Sequence, residues 1–380
     1  MGLRQSALEN MVMYDDVYRG RRVWVSGHTG FKGAWLCEWL LALGAEVHGF
    51  ALAPEPHQRL FTQLGLEHRV LHEIGDVRDA AAVARSLRTA RPDFVFHLAA
   101  QPLVRASYAT PVETYATNVM GTLHVLEALR PLEQACCAVF VTTDKCYDNQ
   151  EMGKPFEESD PLGGSDPYSS SKACAEIAIQ SWRRSFFGAS MIRFASARAG
   201  NVIGGGDWSP DRILPDSIRA LQERRSVPVR NPNSVRPWEH VLEPLGGYLL
   251  LGAKLARQAE GHGGESLCSA FNFGPEPEAN RTVRQLVEEV LCNWPGEWVD
   301  QSSANAPHEA KLLHLSTDKA QRLLGWQSVW NFSDTVARTV EWYRDSHAGA
   351  EARELCGAQI GRYAKDAMTR GSDCTKEPKR

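Results

Sequence analysis

RRVWVSGHTGFKG, residues 21–33, runs an uninterrupted apolar segment into a glycine-spaced turn and then into the start of a helical pattern. A strand that is apolar on both faces belongs in a sheet covered on both sides, and such sheets are parallel. Gly27, Gly30 and Gly33 follow the strand directly and open the helix. Glycines so placed allow a tight turn and let backbone N–H groups approach a pyrophosphate. Gly27, His28, Thr29, Gly30, Phe31, Lys32 and Gly33 are therefore the expected cradle of a dinucleotide cofactor.

Outward from this stretch the apolar runs recur in EVHGFAL, RVLHEIGDV, DFVFHLAA, CCAVFVTT and MIRFASAR, with helical patterns between them at 79–90, 111–130 and 168–187. Strands alternating with helices predict an α/β fold, a doubly wound parallel (Rossmann) sheet over residues 21–198 with right-handed crossovers. Residues 1–20 read as an N-terminal extension. From 199 to 347, Gly, Pro and Asn punctuation surrounds shorter helical patterns and predicts a smaller α/β lobe over the sheet's carboxyl edge. Segments near 238–260 are expected to pack back on the first domain. Residues 348–380 hold few large apolar side chains and end in DCTKEPKR, so they read as a frayed tail.

Composition removes several classes of function. Forty-two Lys and Arg against 46 Asp and Glu give a net charge of −4, so no chain-wide cationic field draws the protein to nucleic acid or to anionic lipid. Nine cysteines, an odd number with no CxxC pair, read as small buried hydrophobes in a reducing compartment. The first twenty residues carry Arg4, Glu9, Asp15, Asp16 and Arg19 and lack an apolar core, and no apolar run is long enough for a membrane span. A cytoplasmic location is expected, with no membrane contact and no metal site.

Two polar clusters sit where the predicted sheet ends. Tyr168 and Lys172 form YSSSK at the start of a helical pattern, and i, i+4 spacing puts them on one face. There an ammonium can stabilise a phenolate, whose unperturbed pKa of ~10 is otherwise too high for a base at neutral pH. The fifth strand runs into VTTDKCYD and delivers Thr143, Asp144 and Lys145 to the carboxyl edge, where open α/β sheets bind ligands. A hydroxyl, a phenol and a carboxyl converging there suit proton removal from an alcohol, hydride transfer and protonation of a leaving hydroxyl. A solvated turn with a capping aspartate is the alternative for this cluster. Asp76, in GDVRD, is placed to accept from an adenine amino group or else to cap the helix starting near Asp79. The acid expected at the end of the second strand is missing, since Phe50, Ala51, Leu52 and Ala53 occupy that region, which leaves NAD against NADP open.

GHTGFKG, HLAAQPLVRASY, TNVMGT, VTTDKCYD, DPYSSSK, ARAGNVIGGGDW, RNPNSVRPWEHVLEP and FNFGP together resemble the extended short-chain dehydrogenase/reductases, and within them the nucleotide-sugar 4,6-dehydratases, from about Arg21 to Tyr343. The glycine loop and YxxxK are common to the superfamily, whereas TDK, GGGDW and RPWEHVLEP point to the CDP-glucose branch. In dTDP- and GDP-sugar relatives the third member of the triplet is Glu; here it is Lys145. The resemblance implies dehydration of CDP-D-glucose to CDP-4-keto-6-deoxy-D-glucose with NAD recycled in each turn. It assigns Tyr168 to the proton of the 4-hydroxyl, Thr143 to that oxygen, and Asp144 to the departing hydroxyl. Lys145 is either the base at carbon 5 or an electrostatic group. Cofactor contacts extend to Asp76, Val77, Leu98, Ala99, Ala100, Asn118, Tyr168 and Lys172. Asn201, Arg212 and Arg236 match positions on the nucleotide diphosphate, and Gln101 and Arg105 face the same edge. A homodimer or homotetramer is expected. A dTDP- or GDP-hexose dehydratase, a 4-epimerase or a dinucleotide-sensing binding protein are the competing readings.

Overall fold

The computed structural model describes residues 14, 16–149, 154–188, 190–259, 266–302 and 313–373. Most of the expected N-terminal extension, residues 1–13 and 15, lies outside the described residues.

Seven strands form one sheet: β1 (Arg22–Ser26), β2 (Glu46–Ala51), β3 (Leu71–Ile74), β4 (Phe94–His97), β5 (Cys136–Val141), β6 (Ile192–Ala199) and β7 (Ala270–Phe273). Their order is β7-β6-β5-β4-β1-β2-β3, and every pairing is parallel. This is the doubly wound α/β architecture that the apolar runs predict. Every residue of β5 is buried because both faces of the sheet are covered. The order reverses between β1 and β4, and the crevice at their carboxyl ends is the natural ligand site.

The seventh strand comes from inside the segment expected to form the second lobe. Four residues, AFNF, carry too little pattern to be read as a strand, and only their register against Ser196–Ala199 makes them one. The helical pattern at 111–130 is likewise interrupted. Helices Pro111–Tyr115 and Gly121–Leu129 flank a π-helical turn, Ala116–Met120, which reorients Asn118. The remainder of the second lobe is built on short pairs: Val202–Ile203 with Glu239–His240, Val235–Pro237 with Asn280–Thr282, and Val227–Val229 with Trp298–Asp300. Helix Leu242–Ala259 is buried along most of its length and packs against β5 and β6.

Residues 352–373 do not belong to a frayed tail, and 374–380 lie outside the described residues. The former make a helix, Ala352–Asp373, that packs on the helix following the glycine loop, Phe31–Ala42. Its apolar residues are few, but Cys356, Ile360, Tyr363 and Ala364 are buried and fall at i, i+4, i+7 and i+8, a single stripe that composition alone does not reveal. Tyr363 meets Trp39 edge-on at 5.6 Å and Trp330 at 5.2 Å. Covered by the sheet on one side and this helix on the other, Phe31–Ala42 is buried continuously from Gly33 to Leu40. Among the described residues no helix is long and apolar enough to cross a membrane, and no group of His, Cys, Asp and Glu is arranged to hold a metal.

The Tyr363 hydroxyl donates to Glu243 Oε2 at 2.9 Å, and the same buried carboxyl accepts from the N–H groups of Val329 and Trp330. Tyr363→Phe removes one donor from a buried carboxyl, at a cost of about 1–3 kcal/mol. The melting midpoint is expected to fall by a few degrees with turnover unchanged, as checked by thermal unfolding beside steady-state assays. An unaltered midpoint would mean that the terminal helix is not fastened through this bond.

Candidate active site

A cavity of about 1410 Å³ opens at the carboxyl ends of the central strands, bounded by the glycine loop, the ends of β4 and β5, the YSSSK helix and the second lobe. The loop can be this tight only with glycine at two points. A Cβ on Gly27, whose φ is +74°, would lie 2.8 Å from the Ala99 nitrogen, and one on Gly33 would lie 2.1 Å from the Gly27 carbonyl oxygen. Gly30 caps helix Phe31–Ala42 without any side-chain acceptor, which leaves first-turn N–H groups to serve an anion in the cavity. Thr29 fastens the loop to β2 by donating to the Leu52 carbonyl at 3.2 Å, and Ser26 Oγ accepts from the Leu98 and Ala99 N–H groups at 3.1 Å. Phe31, Lys32, Val77 and Ala100 complete this part of the wall.

Asp76 also lines the cavity. The helix cap is Asp79, which accepts from Ala81 and Ala82, so the capping alternative for Asp76 falls away. The Arg78 guanidinium, at 2.8 Å and 2.6 Å, holds the Asp76 carboxyl below the usual carboxylate range. A glycine cradle with free N–H groups and a charged carboxylate at the far end match the diphosphate and adenine of NAD.

Two expected cofactor contacts lie elsewhere. The His28 ring turns away from the cavity into the layer behind β2, against Phe61, with Nε2 2.7 Å from His72 Nδ1. Burial lowers its pKa to about 3, so the imidazole is neutral. Asn118 is buried behind the wall. Its amide donates to the Gln101 carbonyl at 3.1 Å and to Ser171 Oγ at 2.9 Å, and its oxygen accepts from the Gln101 N–H at 2.9 Å. It therefore staples the loop after β4 to the YSSSK helix.

The catalytic candidates converge. β5 ends in a short 3-10 turn, Asp144–Cys146, capped by the Thr143 hydroxyl, which accepts from the Lys145 N–H. Thr143 Oγ1 donates to Asp144 Oδ1 at 2.9 Å. Lys145 Nζ donates to the same oxygen at 2.9 Å and to Asn201 Oδ1 at 3.1 Å, which links the triplet to the second lobe. Asp144 Oδ2 is buried and has no protein partner. Gly200 stands opposite it, and a Cβ there would lie 3.2 Å from Oδ2.

Asp166 and Pro167 start the YSSSK helix, Pro167–Phe186, by the usual chemistry: the carboxylate accepts from the Ser169 N–H, and proline occupies the first turn. Burial pushes the Tyr168 phenol up to about 12, partly offset by the neighbouring Thr143 hydroxyl. Burial pulls Lys172 down to about 8 against the opposing charge of Glu176, and Lys172 Nζ donates to the Val141 carbonyl at 3.4 Å. Glu176 is a residue that motif reading misses. It accepts from Thr142 Oγ1 at 2.5 Å, Ser196 Oγ at 2.9 Å and Arg198 at 2.8 Å. Its signal is in the sequence, since YSSSKACAE repeats the i, i+4 step from Tyr168 to Lys172 once more.

The residues expected on the substrate line the cavity with unequal freedom. Gln101 spends its side-chain amide on Leu103 and Thr114. Arg105 reaches Asp211 at 3.9 Å, and Arg212 donates to Asp207 at 3.2 Å, while Arg236 donates to the Val235 carbonyl at 2.8 Å. Arg230, also missed, lines the same wall and donates to Asp211 at 2.8 Å. Glu239, fully buried with neither carboxylate oxygen in a hydrogen bond, is pushed well above the usual range by burial; Lys32 opposes this.

Because burial lowers Lys172, its cationic form is a stability cost. Folded and unfolded lysine are both charged below pH 8, only the unfolded one is charged from about 8 to 10.5, and neither is charged above that. Lys172→Met is therefore expected to raise the melting midpoint at pH 7, with the gain over wild type shrinking across that window. A gain independent of pH would show that the ammonium is not strained by burial.

The model of the GDP-mannose 4,6 dehydratase family matches residues 24–339. A CDP-glucose 4,6-dehydratase of Salmonella typhimurium (strain LT2) is 43% identical over 334 residues, which cover 86% of this chain and 91% of that protein. The dTDP-glucose 4,6-dehydratase 1 of Escherichia coli (strain K12) is 24% identical, over 85% of this chain and 92% of its own length. Among solved structures, the dTDP-glucose 4,6-dehydratase DesIV of Streptomyces venezuelae, with NAD and TYD bound, superimposes with a TM-score of 0.72 at 25% identity, covering 87% of this chain and 99% of that one. With a family model spanning the sheet and most of the second lobe, and a relative this similar along its length, the chain belongs to the nucleotide-sugar 4,6-dehydratases of the extended short-chain dehydrogenase/reductase superfamily.

Proposed function

We propose that the chain dehydrates CDP-D-glucose to CDP-4-keto-6-deoxy-D-glucose and water. The observation that carries this reading is the convergence of Thr143, Asp144 and Lys145 on Tyr168 and Lys172 in one cavity, with lysine as third member of the triplet. A 4-epimerase needs the phenol–ammonium pair but no acid for a departing hydroxyl, so a buried carboxyl with one free oxygen favours dehydration. The CDP-glucose dehydratase at 43% identity supports the choice of nucleotide.

The glycine cradle would hold NAD, which when bound would supply a hydride acceptor for carbon 4 and a donor for carbon 6 with no net consumption. Tyr168 takes the proton of the 4-hydroxyl, and the positive charge that accompanies the bound cofactor, together with the Lys172 ammonium, brings its phenol within reach of neutral pH. Thr143 orients the reacting oxygen. The ketone at carbon 4 acidifies carbon 5, and Asp144 protonates the hydroxyl leaving carbon 6. Lys145 acts electrostatically: two of its N–H groups are directed at acceptors, one of them the Asp144 carboxylate, which is the use of an ammonium rather than of a free amine base. Arg105, Arg212, Arg230 and Arg236 and Asn201 hold the nucleotide diphosphate and bring the second lobe to bear on it.

A homodimer fits the exposed Tyr108, Val112, Met120 and Ile177, which stand on neighbouring helical elements and offer an apolar face to a second copy. A reducing, cytoplasmic setting fits the eight described cysteines, all of them free.

Product formation from CDP-glucose without build-up of NADH is the first expectation, tested by product analysis against dTDP- and GDP-glucose. Tyr168→Phe should lose at least about two orders of magnitude in turnover. Asp144→Asn keeps size but has no proton to give, so carbon 4 oxidation survives while elimination slows, and stopped-flow absorbance should record reduced cofactor accumulating in a single turnover. A folded Asp144→Asn variant with normal turnover would return Asp144 to a turn-forming role.

A further inference from the structure

Turnover by this route leaves two residues out of balance. Tyr168 has gained the proton of the 4-hydroxyl, and Asp144 has lost one to the departing water. The proton removed at carbon 5 is matched by the one that enters carbon 5 as hydride reaches carbon 6, whichever group carries it. Water is the only species released, so one proton per cycle has to travel from Tyr168 to Asp144, after carbon 4 is oxidised and before the 6-hydroxyl leaves.

Direct exchange with bulk water is obstructed, since Tyr168, Thr143 and Asp144 are 7%, 4% and 1% exposed. Between the phenol and the carboxyl stands one hydroxyl. Thr143 lines the same cavity as Tyr168, close enough to pull the phenol's pKa down, and donates to Asp144 Oδ1 at 2.9 Å. A hydroxyl can accept on its lone pair while giving up its own proton, which an apolar side chain of the same shape cannot do. Asp144 is divided to match: Oδ1 takes Thr143 and Lys145, while Oδ2, buried and without a protein partner, is left for the substrate.

We propose that the Thr143 hydroxyl is a proton conduit from Tyr168 to Asp144, so that the proton taken from the 4-hydroxyl is replaced on the acid that expels the 6-hydroxyl. The Tyr168 O–H bond breaks as a new O–H bond forms on Thr143 Oγ1, and the original Thr143 proton moves to Asp144 Oδ1. The carboxyl releases its proton to the leaving oxygen from Oδ2, and a half-turn of the carboxyl restores the starting arrangement. The Lys145 ammonium beside Oδ1 favours release through Oδ2. No outside donor is required, and the net result is loss of water alone.

This inference rests on the dehydration proposed above, and 4-keto-6-deoxy product from wild-type enzyme and CDP-glucose tests that reading by itself. The conduit is tested by loading the enzyme with NADH and supplying CDP-4-keto-glucose, which enters after the oxidation, and following the loss of NADH absorbance. Thr143→Val and Asp144→Asn are each expected to slow the decay by about tenfold or more. Thr143→Ser, which keeps the hydroxyl, should stay within about threefold of wild type. The double variant Thr143→Val/Asp144→Asn should be no slower than the slower single one, because both lie on one path. Losses that multiply would mean that Thr143 only holds the sugar oxygen, and decay of Thr143→Val at the wild-type rate would likewise remove the conduit. If Thr143→Val does not fold, the wild-type decay decides in mixtures of light and heavy water: coupled transfer of more than one proton bows the plot of rate against deuterium fraction, and a straight line overturns the proposal.

Discussion

The carboxylate of Glu176 ties together the three elements from which the reacting groups project. Thr142 comes from the end of β5, Ser196 and Arg198 from β6, and Glu176 itself from the YSSSK helix one turn beyond Lys172. Arg198 carries the connection onward to the Tyr147 hydroxyl at 2.8 Å, which in turn donates to Asn272 in β7 at 2.7 Å. A buried carboxylate survives only if its oxygens are filled and its charge is answered, and both conditions are met here by groups of fixed backbone position. The position of Thr143, one residue after Thr142, and the field at Lys172 both follow from where this carboxylate sits.

Around that anchor, burial moves the two partners of the YSSSK pair in opposite senses, the phenol up and the ammonium down. Each shift opposes the charged form that chemistry needs. On the proposed mechanism such a site would be quiet in the free protein and would become basic only when a cation shares its low-dielectric space, which would tie activation to occupancy.

Much of this was legible because it is local. The glycine loop, the six apolar runs and YSSSK are patterns spanning a handful of residues, and right-handed crossovers make of them a doubly wound parallel sheet. What escaped reading depends on partners far along the chain. β7 is a strand only through its pairing with β6, and the helix at 352–373 is visible only as a stripe of four side chains seeking Phe31–Ala42. His28 stands within the loop motif, yet the gap beside His72 and Phe61 draws its ring the other way. The sequence places Asn118 on the cofactor, but a π-helical turn that residue type does not announce directs it at Gln101 and Ser171.

The packing of the terminal helix on Phe31–Ala42 has a bearing on how the protein is made. The ribosome completes the glycine loop, the phenol and the ammonium while the outer side of Phe31–Ala42 still lacks part of its cover. Tyr14 and helix Leu242–Ala259 also reach Trp39, but that apolar side is fully closed only when Cys356, Ile360 and Tyr363 emerge. Nascent chains therefore carry a sticky surface beside an otherwise assembled cofactor cradle, a natural landing place for chaperones and a point where premature termination turns into aggregation. Helix Ala352–Asp373 acts as the seal on Phe31–Ala42.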